Sequence, residues 1–215
     1  MRNVPDTIAR VERISCSAAE EFAYDIQSTS SGVSSPDGVS DMALIVFMRG
    51  VNVGGHKTFR PAALAKDLAA LDVVNVGAAG TFVVRKAVSQ VKLRAELNRR
   101  LPFKAELMIC PGGDLQNLVW TDPFAGQPSP KGAKRFVTIL AKRPRTLPRL
   151  PILRPDGADW QVKVVGVTGK FAVSLWRRMG RSLLYPNEVV EKTLGVPGTT
   201  RNWNTIEAIR DILEE

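Results

Sequence analysis

Hydrophobic and polar positions after residue 41 repeat with the periods of strands and helices. The run 42–48 is continuously apolar and contains β-branched and aromatic side chains, which is typical of a buried strand. Leu64, Leu68 and Leu71 then recur at helical spacing. Pro61 stands at the start of this stretch and favours the first turn of a helix, because its missing N–H needs no partner there.

The first part of the pattern predicts six elements. They are a strand at 42–48, a helix at 61–71, strands at 72–76 and 81–84, a helix between Ser89 and Pro102, and a strand at 105–110. Their β-α-β-β-α-β order is that of a ferredoxin-like unit.

The second part is also mixed but less regular. It predicts a helix at 114–120, a strand at 135–141, a hairpin at 161–165 and 170–175, a helix at 186–194 and an amphipathic C-terminal helix. Four prolines interrupt residues 142–160, which predict no regular element beyond one helical turn. We therefore expect an α+β fold with a ferredoxin-like domain at 42–120, a linker at 121–133 and a second α+β domain at 134–215.

Residues 1–41 differ from the rest of the chain. They carry three arginines against seven acidic residues, and 28–40 are nearly all small or polar. Such a composition buries too little apolar surface to offset the entropy of ordering. We expect a disordered extension, or an over-extension upstream of a true start at Met42; the alternative is a genuine linker or regulatory arm.

The composition limits the kinds of functional site and partner that the chain is expected to have. One histidine and two cysteines do not complete a closed Cys/His zinc site, so we expect no metal and no cofactor. So few cysteines favour a reducing compartment, and no apolar run reaches the length of a membrane span, so we expect a cytoplasmic protein. The net charge of +9 suits an anionic partner.

Two segments carry specific motifs. One is the strand and loop VFMRGVNVGG at 46–55, and the other is LGVPGTTRNWNT at 194–205. Together they resemble an uncharacterised bacterial domain-of-unknown-function family with an LLRGINVGG-type opening and a TTRNWNT-type close. The resemblance covers about 42–215 and implies an α+β fold with a ferredoxin-like first half, but no activity. Here AAGTFVV at 78–84 replaces the family's common QSGNVVF, and His56 replaces its lysine.

The loop at 49–57 is the first candidate site. It follows a strand and precedes a helix, so its backbone N–H groups would favour an anion. The residues that would contact the ligand are Arg49, Asn52, Gly54, Gly55 and Lys57. The structural alternative is a tight loop braced by Arg49 and Asn52. A catalytic triad around His56 is disfavoured, and Cys110 in its strand is expected to be inert.

Arg201 and Asn202 form the second candidate site, just before the C-terminal helix. The apolar stripe of that helix runs through Trp203, Ile206, Ile209 and Leu213. Either Asn202 or Asn204 would cap the helix, since Asn204 and Glu207 have capping-box spacing. Capping and bracing would explain the motif without a ligand. We predict nevertheless that Arg49 and Arg201 face a common anion-binding cleft.

The basic stretch 131–154 contains eight cationic residues and no acidic one. It suits a polyanion, although arginine-rich codon usage would give the same charge without a partner. The leading hypothesis is a soluble binding module for an anionic ligand, nucleic acid included. The alternative is an enzyme that acts on a small phosphorylated or carboxylated metabolite. The oligomeric state is left open.

Overall fold

The computed structural model of the protein describes residues 42–51, 59–180 and 183–215. Within these ranges the chain forms two antiparallel sheets and five α-helices. The predicted α+β fold class is therefore confirmed.

Residues 44–111 form the first sheet and its two helices. The strands are β1 (Leu44–Arg49), β2 (Val73–Asn75), β3 (Thr81–Val84) and β4 (Glu106–Pro111), and the helices are α1 (Pro61–Asp67) and α2 (Gln90–Arg100). The strands lie in the order β2-β3-β1-β4, and each neighbouring pair is antiparallel. The predicted element order is observed.

Strand β1 is apolar at successive positions because both of its faces are covered. Ile45 and Phe47 belong to a core that residues of both sheets share, whereas Val46 and Met48 pack against residues of α1 and α2. Successive side chains of a strand point to opposite faces, so a strand covered on both sides needs an apolar residue at each position.

Helix α3 (Gly112–Trp120) leads from the first sheet towards the second. The second sheet contains β5 (Lys134–Leu140), β6 (Ile152–Arg154), β7 (Val162–Thr168), β8 (Phe171–Trp176) and β9 (Gly198–Asn202), in the order β6-β7-β8-β5-β9. Helix α4 (Pro186–Leu194) precedes β9, and α5 (Trp203–Glu214) follows it.

One hydrophobic cluster contains residues of both sheets and of helices α3 and α5. Leu115 of α3 and Ile206 and Ile209 of α5 are fully buried there, together with Phe47 of β1 and Ile139 of β5. Helix α5 contacts strands of both sheets. On its other face the second sheet packs against α4 through a separate cluster.

Three local predictions differ from the structure. The helix expected at 61–71 ends at Asp67 and continues as a 3-10 turn at Ala69–Leu71, which keeps Leu71 against the same core. The proline-rich stretch contains β6, and residues 198–202, for which no element is predicted, form β9. Both strands pair with partners distant in the chain, which local composition does not show.

The caps of two helices test the sequence analysis directly. Ser89 caps α2, as predicted, because its hydroxyl accepts a hydrogen bond from the Lys92 N–H. The cap of α5 is Asn202, whose Oδ1 accepts from the Thr205 N–H at 2.8 Å. The capping box at Asn204 is therefore wrong, since Asn204 lies inside the helix.

The described residues all belong to one compact unit. The division into domains at 42–120 and 134–215 with a linker at 121–133 stays a prediction. The expected extension at 1–41 lies outside the described residues. In the described part, no helix combines the length and the hydrophobicity that crossing a membrane requires.

Candidate functional site

The two sequence motifs meet where β9 approaches β1. Arg201 Nη2 donates to the Met48 carbonyl at 2.9 Å, and the Thr199 hydroxyl donates to the same carbonyl at 3.3 Å. The residues bonded in this way are about 150 positions apart in the chain. Met48 of the opening motif therefore lies next to Thr199 and Arg201 of the closing motif. That Arg49 and Arg201 face a common anion-binding cleft stays a prediction.

The Arg201 guanidinium is buried, with 7% of the residue exposed, and all three of its nitrogens have protein partners. Nε donates to Thr81 Oγ1 at 2.7 Å, Nη1 donates to Thr199 Oγ1 at 2.8 Å, and Nη2 also donates to the Ala79 carbonyl at 2.8 Å. The group lies 5.7 Å from the centre of the Phe47 ring. These bonds join β9 to β1 and to the turn before β3.

Burial lowers the pKa of Arg201 to about 10, which still leaves the guanidinium charged at neutral pH. A buried charge is costly unless hydrogen bonds replace its hydration. Here carbonyl and hydroxyl oxygens from three chain segments supply those bonds. The contacts account for Arg201 without a ligand, and a role in ligand binding stays a prediction.

Arg49 is held by two carboxylates. Its Nη1 lies 3.0 Å from Glu106 Oε2, and its Nη2 lies 3.0 Å from Glu191 Oε2. Burial lowers the pKa of Arg49, but the two carboxylates outweigh burial and raise it above its ordinary value. Glu191 also accepts a bond from the Gly198 N–H at 2.8 Å, so it links Arg49 to the start of β9.

The remaining predicted site residues divide into two groups. Asn202 is exposed, and its side-chain oxygen caps α5. Asn52, Gly54, Gly55, Lys57 and His56 lie outside the described residues. A ligand-binding role for this set stays a prediction.

A second place of interest is a cavity of about 420 Å³ between α3 and the turn that joins β7 to β8. We call it the α3 cleft. Its polar lining comes from three parts of the chain: Asp114, Asn117 and Thr121 of α3, Arg143 after β5, and Thr168 and Lys170 at the turn. Leu118 and Phe171 supply its apolar surface.

Two cations of the α3 cleft have no partner in the part of the chain that the structure describes. Among the described residues, neither Arg143 nor Lys170 makes a side-chain hydrogen bond or an ion pair. Arg143 Nε lies 3.9 Å from the point that a Cβ on Gly169 would occupy, so the guanidinium sits against the turn. Asp114 is the acidic residue in the described lining, and the cleft keeps an excess of one positive charge.

Most side-chain hydrogen-bond donors of the cleft have no acceptor among the described residues. The Thr121 hydroxyl donates to the Leu118 carbonyl at 3.0 Å and can only accept a further bond. The Asn117 amide and the Thr168 hydroxyl make no side-chain hydrogen bond to another described residue. An oxyanion in the cleft could therefore receive bonds from two cations, one amide and one hydroxyl.

The basic stretch 131–154 contributes little to ion pairing. Within the described part of the chain, its one salt bridge joins Arg154 to Asp156 at 2.7 Å. Arg135 lies over the Phe124 ring at 5.2 Å. The five cations Lys131, Lys134, Lys142, Arg145 and Arg149, like Arg143, have no carboxylate partner there.

A larger cavity, of about 560 Å³, lies beside α1 and is mostly apolar. Its charged residues are balanced: Arg100 pairs with Glu96, and Asp67 shares the lining with Arg60. It therefore offers less to an anion than the α3 cleft does. No group of three potential metal ligands occurs among the described residues.

Cys110 is buried in β4, and burial raises the pKa of its thiol to about 12. The thiolate is the reactive form, so the native thiol should not react with an aromatic disulfide at neutral pH. In a Cys16→Ser variant Cys110 is the one remaining cysteine. We expect this variant to be labelled only after unfolding in guanidinium. Labelling of the native variant within minutes would contradict this.

Sequence reasoning missed the α3 cleft because its parts converge only through pairing. Lys170 and Arg143 are 27 positions apart, and β5 and β8 bring their neighbours together through the pair Ile139–Phe171. The available signal was a lysine at the start of a predicted hairpin strand and an arginine beyond the end of another predicted strand.

Comparisons with known proteins place the chain in a family. The model of a family described as a protein of unknown function, DUF1697, matches residues 42–166. The fold is similar to that of a solved structure, the conserved bacterial protein SP0830 from Streptococcus pneumoniae, with a TM-score of 0.50 and 16% identity over 81% of this chain and 99% of that chain. The comparison with curated proteins finds no match. Because the matched residues make up more than half of its length, the chain belongs to the DUF1697 family.

Proposed function

We propose that the protein is a binding module for an anionic ligand and that the α3 cleft holds the anion. The observation that carries this proposal is that Arg143 and Lys170, in the wall of one cavity, have no hydrogen-bond or ion-pair partner for their side chains among the described residues. Elsewhere in the described chain, arginines such as Arg49, Arg85 and Arg210 are bonded to carboxylates.

The chemistry of the lining favours phosphate or carboxylate. A guanidinium and an ammonium can each donate charge-assisted bonds to oxyanions, and these bonds are stronger than neutral ones. Asn117 and Thr168 add neutral donors. The Asp114 carboxylate repels an anion, so it reduces the net attraction of the cleft for the ligand. Removing this one carboxylate would increase that attraction.

We expect inorganic pyrophosphate to bind the wild-type protein and the double variant Arg143→Gln/Lys170→Gln to bind at least tenfold more weakly. Each lost charge-assisted bond is worth about 1.5–3 kcal/mol, so tenfold is a lower bound. Isothermal titration calorimetry measures both affinities. Lys104→Gln removes an exposed lysine from the first half of the chain and should bind as the wild type does.

The Asp114→Asn variant tests the same site in the opposite direction. Removing the carboxylate should strengthen pyrophosphate binding by about two- to fivefold, as expected for a partly screened charge near the ligand. Equal affinities for the wild type, the double variant and Asp114→Asn would overturn the assignment to the α3 cleft.

The site predicted from the sequence is a second candidate for the same function. It is favoured by the meeting of the two motifs, which brings Arg49 close to the start of β9 through Glu191. The set proposed there is Arg49, Asn52, Gly54, Gly55, Lys57, Arg201 and Asn202. If Arg49→Gln abolishes pyrophosphate binding while the double variant of the α3 cleft retains it, the anion site lies at the motifs.

The ionic-strength dependence separates a polyanion from a small metabolite. Nucleic acid binding through several phosphates should weaken steeply between low and moderate salt, because bound counterions are released. A small ligand held by two cations should respond only modestly. The alternative of an enzyme acting on a small phosphorylated or carboxylated metabolite would require turnover in addition to binding.

A further inference from the structure

One indole ring on helix α3 is largely exposed to solvent. Trp120 is 62% exposed, whereas Trp160 and Trp203 are 9% and 8% exposed. Trp176 is half-buried, and its indole N–H donates to the Leu184 carbonyl at 2.7 Å. Tryptophan is on average a highly buried residue type, so a ring left in water on a helix calls for an explanation.

The helical spacing puts Trp120 at the border of the helix face that lines the cleft, although Trp120 is not itself part of the lining. Asp114, Asn117, Leu118 and Thr121 are separated by the intervals of one helix face, and that face lines the cleft. Trp120 lies three residues after Asn117, so the two are neighbours on the helix surface, with their Cβ atoms about 5–6 Å apart. Side chains on a helix lean towards its N-terminus, which directs Trp120 towards Asn117.

The cleft and the ring together match a ligand with two parts. The cleft offers Arg143 and Lys170 to an anion, and the neighbouring ring offers an aromatic face without a polar partner in the cavity. A nucleotide carries both parts within one molecule, and its phosphate and base are separated by a sugar. Bases stack on exposed aromatic side chains whatever their sequence, because each base has a π-face.

We infer that the ligand of the α3 cleft is a nucleoside phosphate. Its phosphate binds Arg143 and Lys170, and its base stacks on Trp120. This inference rests on the proposed anion site and adds the class of ligand. The same chemistry would serve a free nucleotide or one nucleotide of a single strand.

The experiment compares ligands that differ by one part. Affinities for pyrophosphate, ribose 5-phosphate, AMP and a short single-stranded oligonucleotide are measured by calorimetry on the full chain. Tryptophan fluorescence is recorded in the same titrations. AMP should bind about tenfold more tightly than ribose 5-phosphate, the effect typical of one stacked base, and should quench the fluorescence.

Two variants locate the base. Trp120→Ala should lower AMP affinity to that of ribose 5-phosphate while leaving pyrophosphate binding unchanged, and Trp120→Phe should retain part of the gain. Tyr185→Ala removes another exposed aromatic ring, one that precedes α4 and is not on α3, and should have no effect. Tighter binding of the oligonucleotide than of AMP identifies a strand as the source, and the reverse identifies a free nucleotide.

The outcomes separate the two proposals. If pyrophosphate binds through the cleft but AMP binds no better than ribose 5-phosphate, or if Trp120→Ala leaves the difference intact, the nucleotide assignment is overturned and the anion site stands. If none of the four ligands binds, the proposed function fails and the nucleotide assignment fails with it. If the Trp120 ring instead contacts a protein partner, AMP should bind no better than ribose 5-phosphate does.

Discussion

Replacement of Arg201 by leucine is expected to lower the free energy of unfolding by about 3 kcal/mol, through the loss of buried hydrogen bonds to a charged group. The substitution removes the guanidinium bonds to the Ala79 carbonyl and to the Thr81 hydroxyl. It also removes the guanidinium bond to the Met48 carbonyl, which keeps its bond from the Thr199 hydroxyl. It therefore weakens the link between β9 and β1, of which the bond from Thr199 to Met48 remains.

Urea denaturation followed by circular dichroism measures this effect. Arg201→Lys keeps the charge but reaches fewer acceptors, so it should lose somewhat less, about 2 kcal/mol. Arg99→Gln is the matched control, because the Arg99 side chain is 68% exposed and pairs only with Glu96 on the surface of α2. It should cost less than about 0.5 kcal/mol. If Arg201→Leu also cost less than about 0.5 kcal/mol, the buried bonds would contribute no net stability.

Gly80→Ala is expected to cost about 3 kcal/mol, because it combines a left-handed backbone conformation with a clash. Gly80 has φ of +68°, and a Cβ there would lie 2.9 Å from Met48 Cβ. The chain fixes both Cβ positions, so neither side chain can rotate away. The Gly80 carbonyl also accepts the Met48 N–H at 2.8 Å, so any shift of the turn strains that bond.

Gly77→Ala separates the two causes. Gly77 has φ of +72° in the same turn, but a Cβ there would meet nothing within 4 Å. Its cost should be about 1–2 kcal/mol, the conformational part alone. Shortening the neighbour with Met48→Ala should not rescue Gly80→Ala, since the Met48 Cβ remains. Equal denaturation midpoints for the two glycine variants would contradict the clash.

Local pattern predicted the elements that need no distant partner. Strand β1, the hairpin of β2 and β3, and the capped helix α2 follow from apolar runs, turn residues and Ser89. Strands β6 and β9 did not follow, because they are short and are defined by pairing with β7 and β5. The threonines of β9 favour a strand, but Asn202 indicates the start of a helix, and this second indication was the stronger one.

The candidate sites were predictable to a lesser extent. The sequence indicated that the motifs around Arg49 and Arg201 would meet, because two specific motifs that are distant in the chain occur together most simply if they lie close in space. It could not indicate that Arg201 is bonded to carbonyls of β1 and the turn before β3, because those bonds depend on how β9, at the edge of the second sheet, approaches the end of β1. The α3 cleft depends on the same kind of tertiary information.

Helix α5 supplies Ile206 and Ile209 to the cluster that also contains Ile45 and Phe47 of β1. These residues leave the ribosome at very different times, because β1 is among the first described elements and α5 is the last. Until α5 emerges, the inner face of the first sheet lacks part of its cover. We therefore expect ribosome-bound chains that stop before residue 203 to expose this face, and to recruit chaperones that bind apolar strands.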